Sequence, residues 1–172
     1  MPRSPGRLIA VFLLACLEAG CLASLRGRQV NLVGQAAPAL ELSTFDGRRV
    51  QLVELGRPTL LVFMASWCAP SKAEAERLAE LARRYRRRGL RVVGVAIGED
   101  EGPEAVRRFV EQRNIPFPVV MGTPEASAAY GGTPVTPTVF IVGREGRIER
   151  QLVGMREMGG LEAAVARLMD AG

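Results

Sequence analysis

The chain has no histidine and only three cysteines, and aromatic residues make up 5% of its 172 residues. Without histidine, serine–histidine and cysteine–histidine catalysis, histidine-held metals and an imidazole charge switch near neutral pH are all excluded. Nothing in the pattern calls for a cofactor or a metal site. What is present is 48% hydrophobic and 24% charged, which suits one globular domain with a real core and is too apolar for a disordered chain. The net charge of +5 comes from 23 Lys+Arg against 18 Asp+Glu, and nearly all of the cations are arginine. The densest cluster is Arg83, Arg84, Arg86, Arg87 and Arg88. Such a cluster can contact phosphate on lipid or nucleic acid. The better reading is a solvated last helical turn before Gly89, where cations complement the helix dipole, and no nucleic-acid partner is expected.

Arg3 and Arg7 precede an apolar run from Leu8 to Leu17 that stops at Glu18. The run is well short of the ~20 residues that span a bilayer, and a basic start followed by a short apolar run reads as a secretory signal. Cys16 and Cys21 lie at its end, and the segment resembles a bacterial lipoprotein leader, in which a cysteine after a small residue is lipidated. Leu13-Leu14-Ala15-Cys16 has the expected leucine, and Glu18-Ala19-Gly20-Cys21 has the better two preceding residues. Cys16 is slightly preferred, and a leader whose cysteines have no role stays open. Either way the expected place is the cell envelope or periplasm, with the membrane reached through a lipid or signal anchor. The expected organisation is a leader over 1–21, a tether over 22–36 and one domain over 37–172.

Within that domain, Leu40 to Leu55 predicts two short strands around an Asp46-Gly47 turn. Pro58 to Ala65 is a continuous apolar run of strand length, as expected of a central strand covered on both faces. Ala73 to Arg88 has helical spacing with Gly89 as its stop. Strands follow at Leu90–Ile97, Phe117–Met121, Thr138–Val142 and Ile148–Val153. Helices are expected at Pro103–Asn114, Pro124–Tyr130 and Gly160–Met169. This alternation predicts a mixed α/β sheet with helices on both faces.

Cys68 sits where the central strand gives way to a helix. A helix N-terminus offers unpaired N–H groups and a positive dipole end, which favour a thiolate and lower the thiol pKa from ~8.5. A buried, inert core cysteine is the bland alternative, and Trp67 and Pro70 argue for a shaped, partly exposed turn instead. The segment Trp67-Cys68-Ala69-Pro70-Ser71 resembles the Trp-Cys-x-Pro-Cys site of thioredoxin-fold proteins. The span from Gly34 to Met169 is similar to their TlpA/ResA-type, or redoxin, branch. Ala37-Pro38, Asp46-Gly47, Phe117-Pro118-Val119-Val120, Tyr130-Gly131, Val135-Thr136-Pro137-Thr138, Gly146-Arg147-Ile148 and Val153-Gly154 agree in order and spacing. The resemblance implies a thioredoxin fold with a mixed central sheet, an N-terminal β-hairpin and a central helix–strand insertion. It also implies a cis Thr136–Pro137 bond against Cys68, with Trp67, Pro70, Thr136 and Pro137 forming the substrate groove. An ordinary trans proline at a strand start is the alternative. Glu74 falls where this branch places a glutamate near the thiol; a proton carrier and a simple dipole partner are equally good readings. Lys72 either favours the thiolate or is merely solvated.

The chain departs from the family at Ser71, which stands where the family has its second cysteine. A hydroxyl there can hydrogen-bond a thiolate but cannot attack a mixed disulfide, so the site is monothiol. Val62 likewise occupies the place of the buried aspartate of ordinary thioredoxins. The expected activity is thiol–disulfide exchange by Cys68, by mixed-disulfide reduction or isomerisation. Ser71 and Glu74 are the other catalytic candidates, and an external reductant resolves the adduct. Expected partners are disulfide-containing envelope proteins or low-molecular-weight thiols. Resolution by Cys21 on its tether is a further variant. A redox-silent module that binds peptides or a partner protein is the alternative. A thiol peroxidase fits less well, because Leu61 and Ala65 stand where peroxiredoxins carry proline and the peroxide-orienting hydroxyl.

Overall fold

A computed structural model of the protein describes residues 29–133 and 135–170. The leader over 1–21, with the lipidation candidates Cys16 and Cys21, lies outside the described residues. Two short strands come first, β1 (Glu41–Ser43) and β2 (Arg49–Gln51), paired antiparallel. Their turn uses Gly47 at a φ of 83°, which glycine adopts without the steric cost of a Cβ. Buried Thr44 donates its hydroxyl proton to the Asp46 carboxylate and accepts from the Arg48 N–H at 3.0 Å. The hairpin is therefore as expected, with shorter strands.

Five strands make the main sheet, in the order β5-β4-β3-β6-β7. They are β3 (Thr59–Met64), β4 (Arg91–Ala96), β5 (Val119–Met121), β6 (Thr138–Val142) and β7 (Ile148–Val153). Strands β3, β4 and β5 run parallel, and β6 and β7 add antiparallel to β3. The apolar run that predicted a central strand is β3, every residue of which is buried. Because side chains alternate across a strand, its residues divide between two cores. Leu60, Val62 and Met64 pack with residues of helices α1 (Ala69–Tyr85), α2 (Pro103–Gln112) and α5 (Leu161–Asp170). Leu61 and Phe63 face the other way, toward Leu32, Leu52, Tyr130 and Phe140. Phe63, Tyr130 and Phe140 form a three-ring cluster with centroids 5.1–5.7 Å apart, a spacing at which edge and tilted contacts add to the burial of each ring. Tyr130 ends the short helix α3 (Pro124–Ala129) and donates its hydroxyl to the Pro38 carbonyl at 2.8 Å. The one-turn helix α4 (Met155–Met158) completes the set.

Two differences from expectation have simple causes. Helix α1 starts at Ala69, ahead of the expected Ala73, because Pro70 sits in its first turn where a missing N–H costs nothing. Its end is as expected: Arg86–Arg88 tighten into a 3-10 turn and Gly89 caps it at a φ of 91°. The expected tether over 22–36 is corrected at its far end. Val30 N–H donates to Gly131 at 3.0 Å, Gly34 N–H donates to Ile148 at 2.7 Å, Ala36 bridges Arg147, and Leu32 is buried in the second core. Among the described residues no helix is long and apolar enough to cross a membrane.

Candidate active site

The site assembles because one sheet register brings two loops together. Phe63 of β3 is paired with Thr138 of antiparallel β6. The residues leaving β3 and those entering β6 therefore meet at the same end of the sheet. Leaving β3 are Ala65 to Cys68; entering β6 are Val135 to Pro137. The Thr136–Pro137 bond is cis, as the family resemblance implied. The Cys68 thiol lies 3.6 Å from the Thr136 carbonyl, within the donor distance of a weak sulfur hydrogen bond.

Cys68 is the N-cap residue of α1, in extended conformation, and it is half-buried. Its thiol responds to opposed influences. Burial pushes its pKa up; the Thr136 side chain, the N–H and hydroxyl of Ser71 and the Lys72 charge pull it down, and the downward influences win. The Thr136 carbonyl works against them, since it accepts from the protonated thiol only. Ser71 is 1% exposed, and its oxygen accepts the Ala65 N–H at 3.3 Å, which leaves the hydroxyl proton free for the sulfur. Thus Ser71 is brought to Cys68 as expected, and so is Thr136.

Glu74 is placed differently. It is buried, yet its carboxylate bonds to Arg77 at 3.5 Å and makes no hydrogen bond to Cys68 or Ser71 among the described residues. It also lies beyond the first turn of α1, where the dipole effect fades. Arg77 in turn reaches Glu162 of α5 at 3.1 Å, so Glu74 belongs to a chain of charges linking two helices. Val62 is fully buried in β3.

Trp67 is 63% exposed beside the sulfur, and Val135 and Met155 are the other exposed apolar residues of this end. Val135 directly precedes Thr136, and Met155 follows Gly154, whose N–H donates to Pro137 at 2.9 Å. Large exposed apolar side chains grouped around a reactive position suit an extended partner. Pro70 is half-buried in the first turn of α1.

Glu99 is a site residue that the sequence does not reveal. Its carboxylate accepts the Ser66 N–H at 2.6 Å and the Ser66 hydroxyl, while the neighbouring Gly98 carbonyl accepts the Trp67 indole N–H. The loop after β4 thereby fixes both residues that precede Cys68. No local signal marks it, because an acid in a loop of acids reads as solvated surface. Glu99→Ala is expected to cost ~1–3 kcal/mol, the penalty for a half-buried N–H left without its charged partner. Urea unfolding measures the loss. Lower fluorescence anisotropy of Trp67, the chain's single tryptophan, would report the freed loop. Unchanged stability and anisotropy would show that Glu99 does not hold the turn.

Among the described residues no group of three or more acidic, cysteine or histidine side chains could hold a metal.

Known proteins match this architecture. Residues 33–151 match the profile of the AhpC/TSA family. The chain is 31% identical over 130 residues to the thiol-disulfide oxidoreductase ResA of Bacillus subtilis, covering 74% of this chain and 71% of that protein. It is 27% identical over 137 residues to ResA of Bacillus thuringiensis, covering 79% and 78%. The crystal structure of a thiol:disulfide interchange protein of the thioredoxin family from Chlorobium tepidum superposes with a TM-score of 0.70 at 26% identity, covering 83% of this chain and 99% of that one. A thioredoxin fold, a half-buried cysteine capping the helix after the central strand and a cis proline beside it accord with these matches, and the chain belongs to the AhpC/TSA, or redoxin, family on its ResA-type thiol-disulfide oxidoreductase branch.

Proposed function

We propose that the protein is an envelope-located monothiol thiol–disulfide oxidoreductase with Cys68 as its nucleophile. The observation that carries this is the placement of the sulfur. It caps α1, remains half-exposed, and has the Thr136 and Ser71 donors and the Lys72 charge arranged to favour the thiolate. The Cys68 thiolate attacks one sulfur of a substrate disulfide; a new Cys68–S–S–R bond forms, and the other sulfur leaves as a thiolate that takes a proton from water. An external thiol then attacks the adduct, restores the Cys68 thiolate and carries away R as a disulfide. If a different thiolate of the same substrate protein attacks the adduct instead, Cys68 leaves as its thiolate and the substrate keeps a rearranged disulfide, which is isomerisation.

Ser71 assists by donating to the thiolate, and its oxygen holds the turn through Ala65. Trp67, Val135 and the Thr136–Pro137 segment offer the groove for an extended substrate. Half-exposed Cys68 exchanges protons with solvent directly, so the Arg77-bound Glu74 has no required part in the step and serves as a positioning charge. The basic and apolar leader, with Cys16 or Cys21 as the lipidation point, supports the envelope location and membrane anchoring. Buried Leu61 and Ala65 stand where a peroxidase would carry its proline and its peroxide-orienting hydroxyl.

The exposed Trp67, Val135 and Met155 favour one further reading, a binding module without redox activity. Alkylation of Cys68 by iodoacetamide across a pH series separates the two. Exchange predicts a midpoint below the ~8.5 of a free thiol, so that reaction is already well advanced at neutral pH, together with a Cys68 adduct after exposure to an oxidised small disulfide. A midpoint at or above the free-thiol value with no adduct would overturn the exchange reading in favour of the binding module.

A further inference from the structure

Next to the turn that carries Cys68 lies a cleft of about 460 Å³, which Cys68 itself does not line. It runs between the start of α1, the loop after β4 and the face of α2. Trp67 and Lys72, which flank Cys68 by one residue and by one helical turn, both line it. Its size falls within the ~300–1,000 Å³ of small-molecule sites.

Its charges are balanced and spatially sorted. Lys72, Arg108 and Arg113 supply cations, and Glu99, Asp100 and Glu101 supply anions. Most are already engaged. Glu99 holds Ser66, Arg108 pairs with Glu101 at 3.0 Å, and Arg113 donates to the Lys72 carbonyl at 3.0 Å. Among the described residues, the Lys72 ammonium and the Asp100 carboxylate have neither a hydrogen bond nor an ion pair. One free cation on the helix that carries the sulfur and one free anion on the opposing loop are complementary to a ligand that bears both a carboxylate and an ammonium.

We propose that this cleft binds the zwitterionic amino-acid end of a low-molecular-weight thiol, with Lys72 receiving a carboxylate and Asp100 an ammonium, so that the preferred substrate is a mixed or symmetrical disulfide of a glutathione-like thiol. The proposal rests on the exchange reading above and narrows its substrate class. Cys68 attacks the sulfur of the small thiol; the Cys68–S–S bond to it forms, and the other sulfur departs as a thiolate and is protonated. The cleft holds the small moiety through the adduct stage until a second thiol displaces it. Lys72 and Asp100 are binding residues here, since neither takes part in bond making.

The test compares initial rates of Cys68 adduct formation with four disulfides at low salt: glutathione disulfide, neutral hydroxyethyl disulfide, cystamine and dithiodipropionate. All are attacked by the same thiolate, so rate ratios at one pH cancel any change in its population. Glutathione disulfide should exceed each of the others after correction for its intrinsic reactivity with a free cysteine peptide. Lys72→Gln and Asp100→Asn should each reduce the glutathione-to-hydroxyethyl ratio about threefold, the scale of a partly exposed ion pair, and high salt should do the same. Both variants are surface changes whose folding circular dichroism verifies. A ratio unmoved by both substitutions, or a fastest reaction with cystamine as an acidic surface alone would give, overturns the cleft assignment and leaves the exchange reading standing. No adduct with any of the four overturns both.

Discussion

Replacing Ser71 by cysteine is expected to turn a persistent mixed disulfide on Cys68 into a short-lived one. On the proposed monothiol reading, the natural chain's adduct waits for a thiol from solution. A second sulfur in the first turn of α1 would attack it internally, forming an intrachain disulfide and releasing the substrate as a free thiol. Well-oriented intramolecular reactions reach effective molarities of ~10⁵–10⁸ M, so even a poorly aligned sulfur acting at ~1 M would outrun ~1 mM external thiol about a thousandfold. Two features set the size of the gain. Ser71 is 1% exposed, so burial keeps the introduced thiol protonated and slows it. The Ala65 N–H would also lose its 3.3 Å bond to the hydroxyl, at a cost of ~0.5–1.5 kcal/mol, since sulfur is a weak acceptor. The measurement is adduct lifetime by quenched mass spectrometry over a range of external thiol. Release from the natural chain and from Ser71→Ala should scale with thiol concentration, and release from Ser71→Cys should be independent of it. A lifetime that stays thiol-dependent in Ser71→Cys would mean that position 71 does not face the adduct, and that the serine is not what makes the site monothiol.

Ser71 is legible in the amino-acid sequence alone, and the reason is general. Cys68, Ser71, Trp67 and Pro137 lie in short motifs whose spacing is fixed by a strand-to-helix turn and by a strand entry. Strands β3 and β6 are equally plain, because a run such as Leu60 to Met64 has no polar face to show to water. What escapes a linear reading depends on contacts between distant segments. Val30 and Leu32 carry no period, and it is contacts with distant residues, the Gly131 carbonyl, the Gln151 side chain and the second core, that make them part of the domain. Glu99 acts on Ser66 across 33 positions of sequence. Glu74 stands out through the family resemblance, but its carboxylate pairs with Arg77 instead, since a buried charge takes the nearest strong partner. Arg91 is hidden in another way. It opens an apolar strand, where a single charge looks like an edge residue pointing to solvent.

Arg91→Met is accordingly expected to destabilise the domain by ~2–4 kcal/mol, a large share of the ~5–15 kcal/mol that holds a typical domain folded. Arg91 is 9% exposed. Its guanidinium donates to the Leu52 carbonyl at 2.7 Å and to the Gln51 carbonyl, and pairs with Glu54 at 3.1 Å. Burial pushes its pKa down and Glu54 opposes the shift; an arginine starts so far above neutrality that it stays charged. Methionine preserves most of the stem's apolar contact, so the loss isolates the donors. Two hydrogen bonds from a charged group contribute ~1.5–3 kcal/mol each, and relief of the arginine's own desolvation offsets part of that. Arg91→Lys should fall between the two, because one ammonium cannot reproduce the planar fork that spans adjacent carbonyls. Glu54→Gln should cost under ~1 kcal/mol, since the carboxylate is 41% exposed and solvent already screens it. Urea midpoints measure all three, with an unchanged slope showing that the folded state keeps its compactness. The loss should also be local in its effects. Arg91 ties the last residue of β2 and the residue after it to the first residue of β4, so amide exchange should quicken from Thr44 to Leu52 while β3 and β6 stay protected. Should Arg91→Met unfold at the natural chain's midpoint, the guanidinium's desolvation would have to equal everything it gives to those carbonyls, and the hairpin would owe its position to its other contacts, the Thr44–Val120 bridge and the packing of Phe45, Val50 and Leu52.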